Sequence, residues 1–416
     1  MSNPYSNYGV SDEAASLAFK ASEAVLPIYE KIEKIREINQ LRVMEAFRSK
    51  RFSEPHLGLT TGYGYDDIGR EKIEEVFADI MGAQKAYVRI QISSGTQAIS
   101  SMLFGILRPG DKLLSATGRP YDTLAATLGL SAETYDGSLS NYGIEYDEVE
   151  LKADGTPDID ALLSKIDDKV KVVFIQKSRG YTGRRALRKD DIKSIIDAVH
   201  GKRKDIIVAV DNCYGEFTED REPCSYGADI CAGSMIKNPG GGIAPSGGYI
   251  AGREDLVEKV ARHICAPGLG SEVGPSLGFN RQLAQGIFMA PHVVAECLKG
   301  AVFAAAAFEL AGIKTSPSYK EERGDIVQTI IFDDPDKLVS FCGKVQSCSP
   351  VDSFVTPEPW DMPGYEDKVV MAAGTFTSGA TTEFSCDGPL KPPYIAYMQG
   401  GLVYEQVKLA VMRALS

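Results

Sequence analysis

The 416-residue chain is poor in the residues that build metal centres. Only four histidines occur, and the eight cysteines (Cys213, Cys224, Cys231, Cys265, Cys297, Cys342, Cys348 and Cys386) form no Cys-x-x-Cys pair. A structural zinc site is therefore not expected, and the thiols read as small buried hydrophobes. Cys213 stands apart because it lies two residues after Asp211. Positive charge is in deficit as well: 45 Lys and Arg against 57 Asp and Glu leave a net charge of −12, the wrong sign for gripping a nucleic-acid backbone. The basic pieces Arg184-Arg185 and Lys202-Arg203-Lys204 read as solvated loops, and the pairs Asp66-Asp67 and Asp333-Asp334 as loop and cap carboxylates. No run is long enough to cross a bilayer, since the apolar stretch 301–310 is short and interrupted by Glu309. No basic segment followed by an apolar core opens the chain. The expectation is a cytoplasmic protein with no nucleic-acid partner, no membrane partner and no metal. Internal repeats and low-complexity tracts are absent too.

What is present is the composition of a protein folded throughout: 44% hydrophobic and 25% charged residues, enough for two or three structural units. Residues 12–51 have helical spacing, with Pro27 predicted to open a second helix after a short first one, so 1–56 read as an N-terminal helical arm. A glycine- and tyrosine-rich loop covers 57–67, and a helix resumes near Gly69 with Ile73, Val76, Phe77 and Ile80 on one face. Beyond Ala86, β-rich runs at 87–92, 112–115, 170–175 and 206–210 alternate with helical stretches. That alternation predicts an α/β domain over 57–300, a mainly parallel central sheet flanked by helices. Residues 301–416 read as a smaller α+β domain: a strand at 326–332, a helix at 335–345, then a strand pair and a terminal helix from 374–384 and 394–415. In parallel sheets ligands collect at the carboxyl ends of the strands.

Three such ends carry chemistry. The run 89–92 enters Ser93-Ser94-Gly95-Thr96-Gln97-Ala98, where free N–H groups at a helix start make a phosphate cradle, or a plain N-cap. The apolar run 206–210 stops at Asp211; a carboxylate there suits a pyridinium N–H, an N-cap or a metal ligand. Lys237, in Gly233-Ser234-Met235-Ile236-Lys237-Asn238-Pro239-Gly240-Gly241-Gly242, breaks the tie. An amine, a carboxylate and an anion cradle together suit pyridoxal 5'-phosphate, and a desolvated lysine is expected to attack through a depressed pKa. Ser234, three residues before Lys237, can reach the phosphate, and Tyr121 can lay its ring on a flat cofactor. A mobile glycine loop with a surface lysine is the plainer reading of 233–248 taken alone.

Taken in order, the strings 93–98, 118–124, 210–217, 233–248 and 387–394 resemble fold type I pyridoxal phosphate enzymes, specifically the methionine gamma-lyase-like proteins also called aluminium resistance proteins, relatives of cystathionine beta-lyase. The resemblance covers nearly the whole chain. It implies that Lys237 holds the cofactor aldehyde covalently, that Asp211 pairs with the pyridine nitrogen, that Tyr121 stacks on the ring, and that Ser94, Gly95, Thr96 and Ser234 hold the phosphate. Cystathionine lyases often place a hydroxyl residue directly before the lysine; here it is Ile236. They also lend a tyrosine and an arginine from a neighbouring subunit. The matching region, 61–70, keeps Tyr63 and Tyr65 but moves or loses the arginine, which implies a homodimer or homotetramer with a shared site. A substrate carboxylate needs a cation, for which Arg179, Arg281 and Lys391 are candidates, Arg179 preferred because it follows a strand. The implied activity is a carbon–sulfur lyase acting on a small sulfur-containing amino acid by elimination, with Lys237 moving the α-proton and Tyr121 protonating the departing sulfur. Transamination, β- or γ-replacement, and a low-turnover cofactor-binding stress-tolerance protein are the alternatives.

Overall fold

The computed structural model describes residues 3–131, 136–362 and 367–416. The chain divides into two compact units, one of residues 39–289 and one made of the segment up to 38 together with 290–416. Sequence patterning predicts borders at 57 and 301. Both observed borders instead fall inside long helices, α1 (Asp12–Ser49) and α8 (Asn280–Leu310), whose unbroken helical pattern hides any border from the sequence. Helix α1 also runs straight through Pro27, where two helices were expected. A proline inside a helix costs about 3 kcal/mol. The Ala-, Glu- and Lys-rich turns on either side, with Ala14, Ala18, Ala21 and Val25 buried, favour one helix enough to absorb that cost.

The 39–289 unit is built on seven strands: β1 (Lys85–Arg89), β2 (Lys112–Ser115), β3 (Glu145–Glu148), β4 (Val170–Gln176), β5 (Ile207–Asp211), β6 (Ile230–Ser234) and β7 (Gly248–Gly252). Their order is β1-β7-β6-β5-β4-β2-β3. The five strands from β3 to β6 run parallel, while β7 is antiparallel to both neighbours. A parallel return needs a crossover, usually helical. The segment between β6 and β7 contains no α-helix, so the chain turns back beside β6, and that return contains Lys237.

Helices α2 (Ile68–Met81), α3 (Gly95–Ile106), α4 (Asp122–Leu128), α5 (Ile159–Lys165), α6 (Lys189–Lys202) and α7 (Glu254–Ile264) complete the unit with the first turns of α8. Ile73, Val76, Phe77 and Ile80 form the buried face of α2, as their spacing predicts. Ile99, Met102 and Leu103 of α3 share one core with Val257 and Val260 of α7, Phe174 of β4, Ala209 of β5 and Ile230 of β6. Truncating such a fully buried leucine to alanine typically costs 2–5 kcal/mol. This packing fixes the start of α3 against the ends of β5 and β6.

The other unit holds a five-stranded antiparallel sheet, in the order β10-β11-β12-β9-β8, from β8 (Lys314–Ser316), β9 (Gln328–Ile331), β10 (Val369–Ala372), β11 (Ser385–Pro389) and β12 (Ile395–Gln399). Helices α9 (Pro335–Gln346) and α10 (Tyr404–Ala414) belong to it. Residues 374–384, expected to contribute a strand, form the connection between β10 and β11. Its Gly, Ser and Thr residues favour turns, and Glu383 holds it by accepting the N–H groups of Phe376 and Thr377 at 2.7 and 2.9 Å. Among the described residues no helix is long and apolar enough to cross a membrane.

Candidate active site

Strands β4, β5 and β6 run parallel, so their carboxyl ends share one edge of the sheet. Gln176 ends β4 directly beside Asp211, which ends β5, and Ser234 ends β6. The start of α3 meets this edge. A Cβ built on Gly95 would stand 3.1 Å from Cys213 Sγ, 3.4 Å from Ser234 Cβ and 3.7 Å from Lys237 Nζ. Residues from three separate stretches of the chain thus line one small space, and the absent side chain at position 95 keeps it open.

Asp211 is 3% exposed, and its Oδ1 accepts the Cys213 N–H at 3.0 Å. Burial raises its pKa above the ordinary carboxylate value, against the opposing pull of the Lys237 charge and of the Cys213 donors. Lys237 Nζ sits 4.0 Å from the centroid of the Tyr214 ring. Tyr214 is itself held at φ +69°, a left-handed conformation uncommon for a non-glycine residue, and this sharp turn is what brings its ring under the amine. Burial works against the Lys237 charge, but Cys213, Tyr214, Asp211 and Tyr121 together favour it, and the net direction is upward. The amine therefore moves opposite to the depressed value expected from desolvation. Burial pushes the Cys213 thiol and the Tyr121 phenol well above their ordinary ranges, so both are neutral near pH 7. Asp211 is the carboxylate among the groups that favour the lysine's charge.

Ser234 is fully buried, and among the described residues its hydroxyl has no hydrogen-bond partner. Buried polar groups are nearly always satisfied, so an orphan at this place points to a ligand. Ser94 caps α3, its hydroxyl oxygen accepting the Gln97 N–H at 3.0 Å. The N–H groups of Gly95 and Thr96, in the first helical turn, have no acceptor within their own helix. The Thr96 hydroxyl lies 3.3 Å from the Tyr121 hydroxyl. Tyr121 is steadied from behind by Gln176, whose Oε1 accepts the Tyr121 N–H at 3.2 Å.

The structure brings Ser94, Gly95, Thr96, Tyr121, Asp211, Ser234 and Lys237 to one edge, and adds Tyr214, Cys213 and Gln176. It also shows a second buried lysine after a strand, Lys177, 1% exposed. Its ammonium is committed elsewhere, 3.1 Å from Glu219 Oε2 and donating to the Gly215 carbonyl at 3.2 Å. Tyr63 and Tyr65 stack on each other, centroids 5.5 Å apart, and are 66% and 53% exposed. They point to solvent, while Arg70 is buried beneath them, donating to the carbonyls of Gly64 at 2.6 Å, Gly274 at 2.9 Å and Glu272 at 3.3 Å. Of the cation candidates, Arg179 is 1% exposed just past β4, and Arg281 is exposed on the first turn of α8. Lys391 lies in the other unit, 3.3 Å from Asp367. Among the described residues no group of three or more His, Cys, Asp or Glu side chains is arranged to hold a metal ion.

Known proteins resemble the chain in sequence and in fold. The chain is 47% identical over 397 residues to the uncharacterized protein YnbB of Bacillus subtilis, covering 95% of this chain and 94% of that protein. L-methionine gamma-lyase of Porphyromonas gingivalis is 27% identical over 206 residues, 49% of this chain and 46% of that enzyme. The crystal structure of a carbon-sulfur lyase involved in aluminum resistance, from Clostridium novyi NT, superposes with a TM-score of 0.95 at 46% identity, covering 99% of this chain and 97% of the other. A pyridoxal-5'-phosphate dependent protein of Escherichia coli, YhfS, shares the fold alone, with a TM-score of 0.59 at 16% identity. The architecture is that of the fold type I pyridoxal phosphate enzymes. A family model, Methionine gamma-lyase, matches residues 14–416, and the chain belongs to the methionine gamma-lyase family.

Proposed function

We propose that the chain is a pyridoxal 5'-phosphate-dependent carbon–sulfur lyase, which takes a sulfur-containing amino acid and one water to a thiol, a keto acid and ammonia. One observation carries the reading: Lys237 Nζ, the orphaned Ser234 hydroxyl and the open space at Gly95 face one another beside Asp211. This set fits the cofactor. The α3 start and Ser234 supply donors for a phosphate, Asp211 a carboxylate for a ring nitrogen, and Lys237 an amine for an aldehyde. Bound there, pyridoxal phosphate supplies an electron sink for the pair released when the α-proton leaves.

The protein's residues do the rest. Lys237 Nζ would hold the aldehyde and, when displaced by the substrate amine, would be the base that takes the α-proton. Cys213, Tyr214, Asp211 and Tyr121 together favour its charge against the burial that opposes it. Pairing Asp211 with a ring N–H would remove one of these influences and let burial favour release of the Nζ proton. Asp211 would hold the ring proton in place. Tyr121, kept by burial as a neutral phenol, has an O–H to offer a departing sulfur. Arg179, at the same sheet edge, is the preferred partner for the substrate carboxylate. Tyr63 and Tyr65, presented outward on a loop braced by Arg70, serve the site of a second copy in a homodimer or homotetramer.

The test is a panel of sulfur amino acids incubated with purified, cofactor-loaded protein, with keto acid, ammonia and thiol measured together. Equal release of all three supports elimination. An amino-acid product points instead to replacement, and stoichiometric cofactor with no release from any substrate refutes the lyase reading.

A further inference from the structure

Behind β6, on the side away from Gly95, lies a carboxyl group that the chemistry above does not use. Glu216 is fully buried. Its Oε1 accepts the Tyr249 hydroxyl at 2.7 Å, and among the described residues its Oε2 has no partner. Only glycine fits opposite: a Cβ at Gly233 would stand 2.6 Å from Glu216 Oε1 and 2.8 Å from the Tyr249 hydroxyl. Gly233 directly precedes Ser234. The Glu216 backbone is tied to the residue after Lys237, because Asn238 Nδ2 donates to the Glu216 carbonyl at 2.9 Å. One residue thus braces both ends of the segment from the anion anchor to the amine.

A second glutamate nearby is treated differently. Glu222 is 3.2 Å from the Arg42 guanidinium and accepts the Phe217 N–H at 2.9 Å and Asn212 Nδ2 at 3.1 Å. The arginine's charge goes to Glu222, and among the described residues Glu216 has no cation in hydrogen-bond contact. The two carboxyl groups thus sit in different surroundings, one against a guanidinium and one against a phenol. The titratable and charged groups facing Glu216 are Tyr249 of β7, Glu222 with Arg42 of α1, Cys231 of β6, Cys213 after β5, and Lys237. Burial pushes Glu216 up to about 8; the Tyr249 bond opposes this, the Glu222 charge adds to it, and the Lys237 charge opposes it.

We propose that Glu216 is a positioning residue of the Lys237 site, held as a neutral carboxylic acid behind β6, and that its deprotonation places a buried negative charge against the segment that grips a dianionic phosphate. The proposal rests on the cofactor reading above. Its consequence is a protein that loosens its hold on the cofactor in mildly alkaline solution through a group that never touches it.

The experiment titrates apoprotein with pyridoxal phosphate from about pH 6.5 to about pH 9.5, following absorbance, in the wild type, Glu216→Gln and Tyr249→Phe. In parallel it follows the unfolding midpoint of each apoprotein across the same range. Glu216→Gln, which keeps the neutral shape, should bind the cofactor about fivefold or more tightly than wild type at the alkaline end and match it at the acid end. Its unfolding midpoint should lack the decline expected of the wild type as pH rises through about 8. Tyr249→Phe removes a bond that favours the carboxylate and should shift the wild-type transition to higher pH, an outcome a packing role would not produce. If both variants keep the wild-type pH profiles, the proposal is overturned. If the wild type binds no pyridoxal phosphate at any pH, the cofactor reading fails, and the unfolding curves alone decide whether Glu216 is the neutral acid.

Discussion

Gly95→Ala separates a built anion site from ordinary packing with a single methyl group. Position 95 is the first residue of α3, where alanine is the better helix former by up to about 1 kcal/mol. The new Cβ meets Cys213 Sγ at 3.1 Å, a contact relieved by a shift of a few tenths of an ångström at the thiol. Stability of the apoprotein should therefore change by less than about 1 kcal/mol in either direction. Cofactor binding should suffer much more, because the methyl stands 3.4 Å from Ser234 Cβ and 3.7 Å from Lys237 Nζ, in the space that phosphate and aldehyde must share. Loss of one charge-assisted hydrogen bond, about 1.5–3 kcal/mol, corresponds to an affinity lower by about 10- to 150-fold. Absorbance titration of apoprotein with pyridoxal phosphate gives the affinity, and urea unfolding gives the stability. Affinity within about threefold of wild type would refute the reasoning. So would a stability loss as large as a core truncation, since it would mean that the space is packed interior.

Further outcomes follow from other residues. Ser234→Ala removes an unsatisfied buried hydroxyl, so urea unfolding of the apoprotein should show unchanged or higher stability, by up to about 1 kcal/mol, while cofactor affinity falls about tenfold. Asp67 is held down to about 2: burial would raise it, but the Arg70 N–H and the Ser276, Thr60 and Asn280 bonds outweigh burial and favour the carboxylate. A depressed value means that stability is present above the ordinary carboxylate range and is lost as pH falls through about 4 toward 2. Hydrogen exchange around Thr60, Asp67 and Ser276 should therefore rise over that window, and in Asp67→Asn it should already be high at neutral pH with no acid transition.

The parts of the fold legible in the sequence were those whose physics is local. β5 is buried along its whole length and reads as a continuous apolar run, and α2 shows its buried face at helical spacing. β3 is an edge strand, and its Glu-Tyr-Asp-Glu sequence carries no apolar signal. β6 is Ile-Cys-Ala-Gly-Ser, small because Glu216 and Tyr249 press against Gly233, a cause that is invisible until the strands are assembled. The site followed the same rule. Asp211 announced itself as a charge closing an apolar strand. Gln176 bears the same signature one strand over, a polar residue at the end of β4, and could have been found by it. Tyr214 could not, because its role depends on a left-handed turn that a sequence does not display. The direction of the Lys237 pKa was also out of reach, since it depends on which side chains surround the amine rather than on how deeply it is buried.

The most direct measurement is reduction of the cofactor-loaded protein with borohydride, followed by proteolysis and mass spectrometry of every lysine peptide. The pyridoxyl mass should appear on the peptide containing Lys237 at about one equivalent per chain, and vanish in Lys237→Ala. Its appearance on Lys177, the other buried lysine at this end of the sheet, or on no lysine at all, would contradict the account.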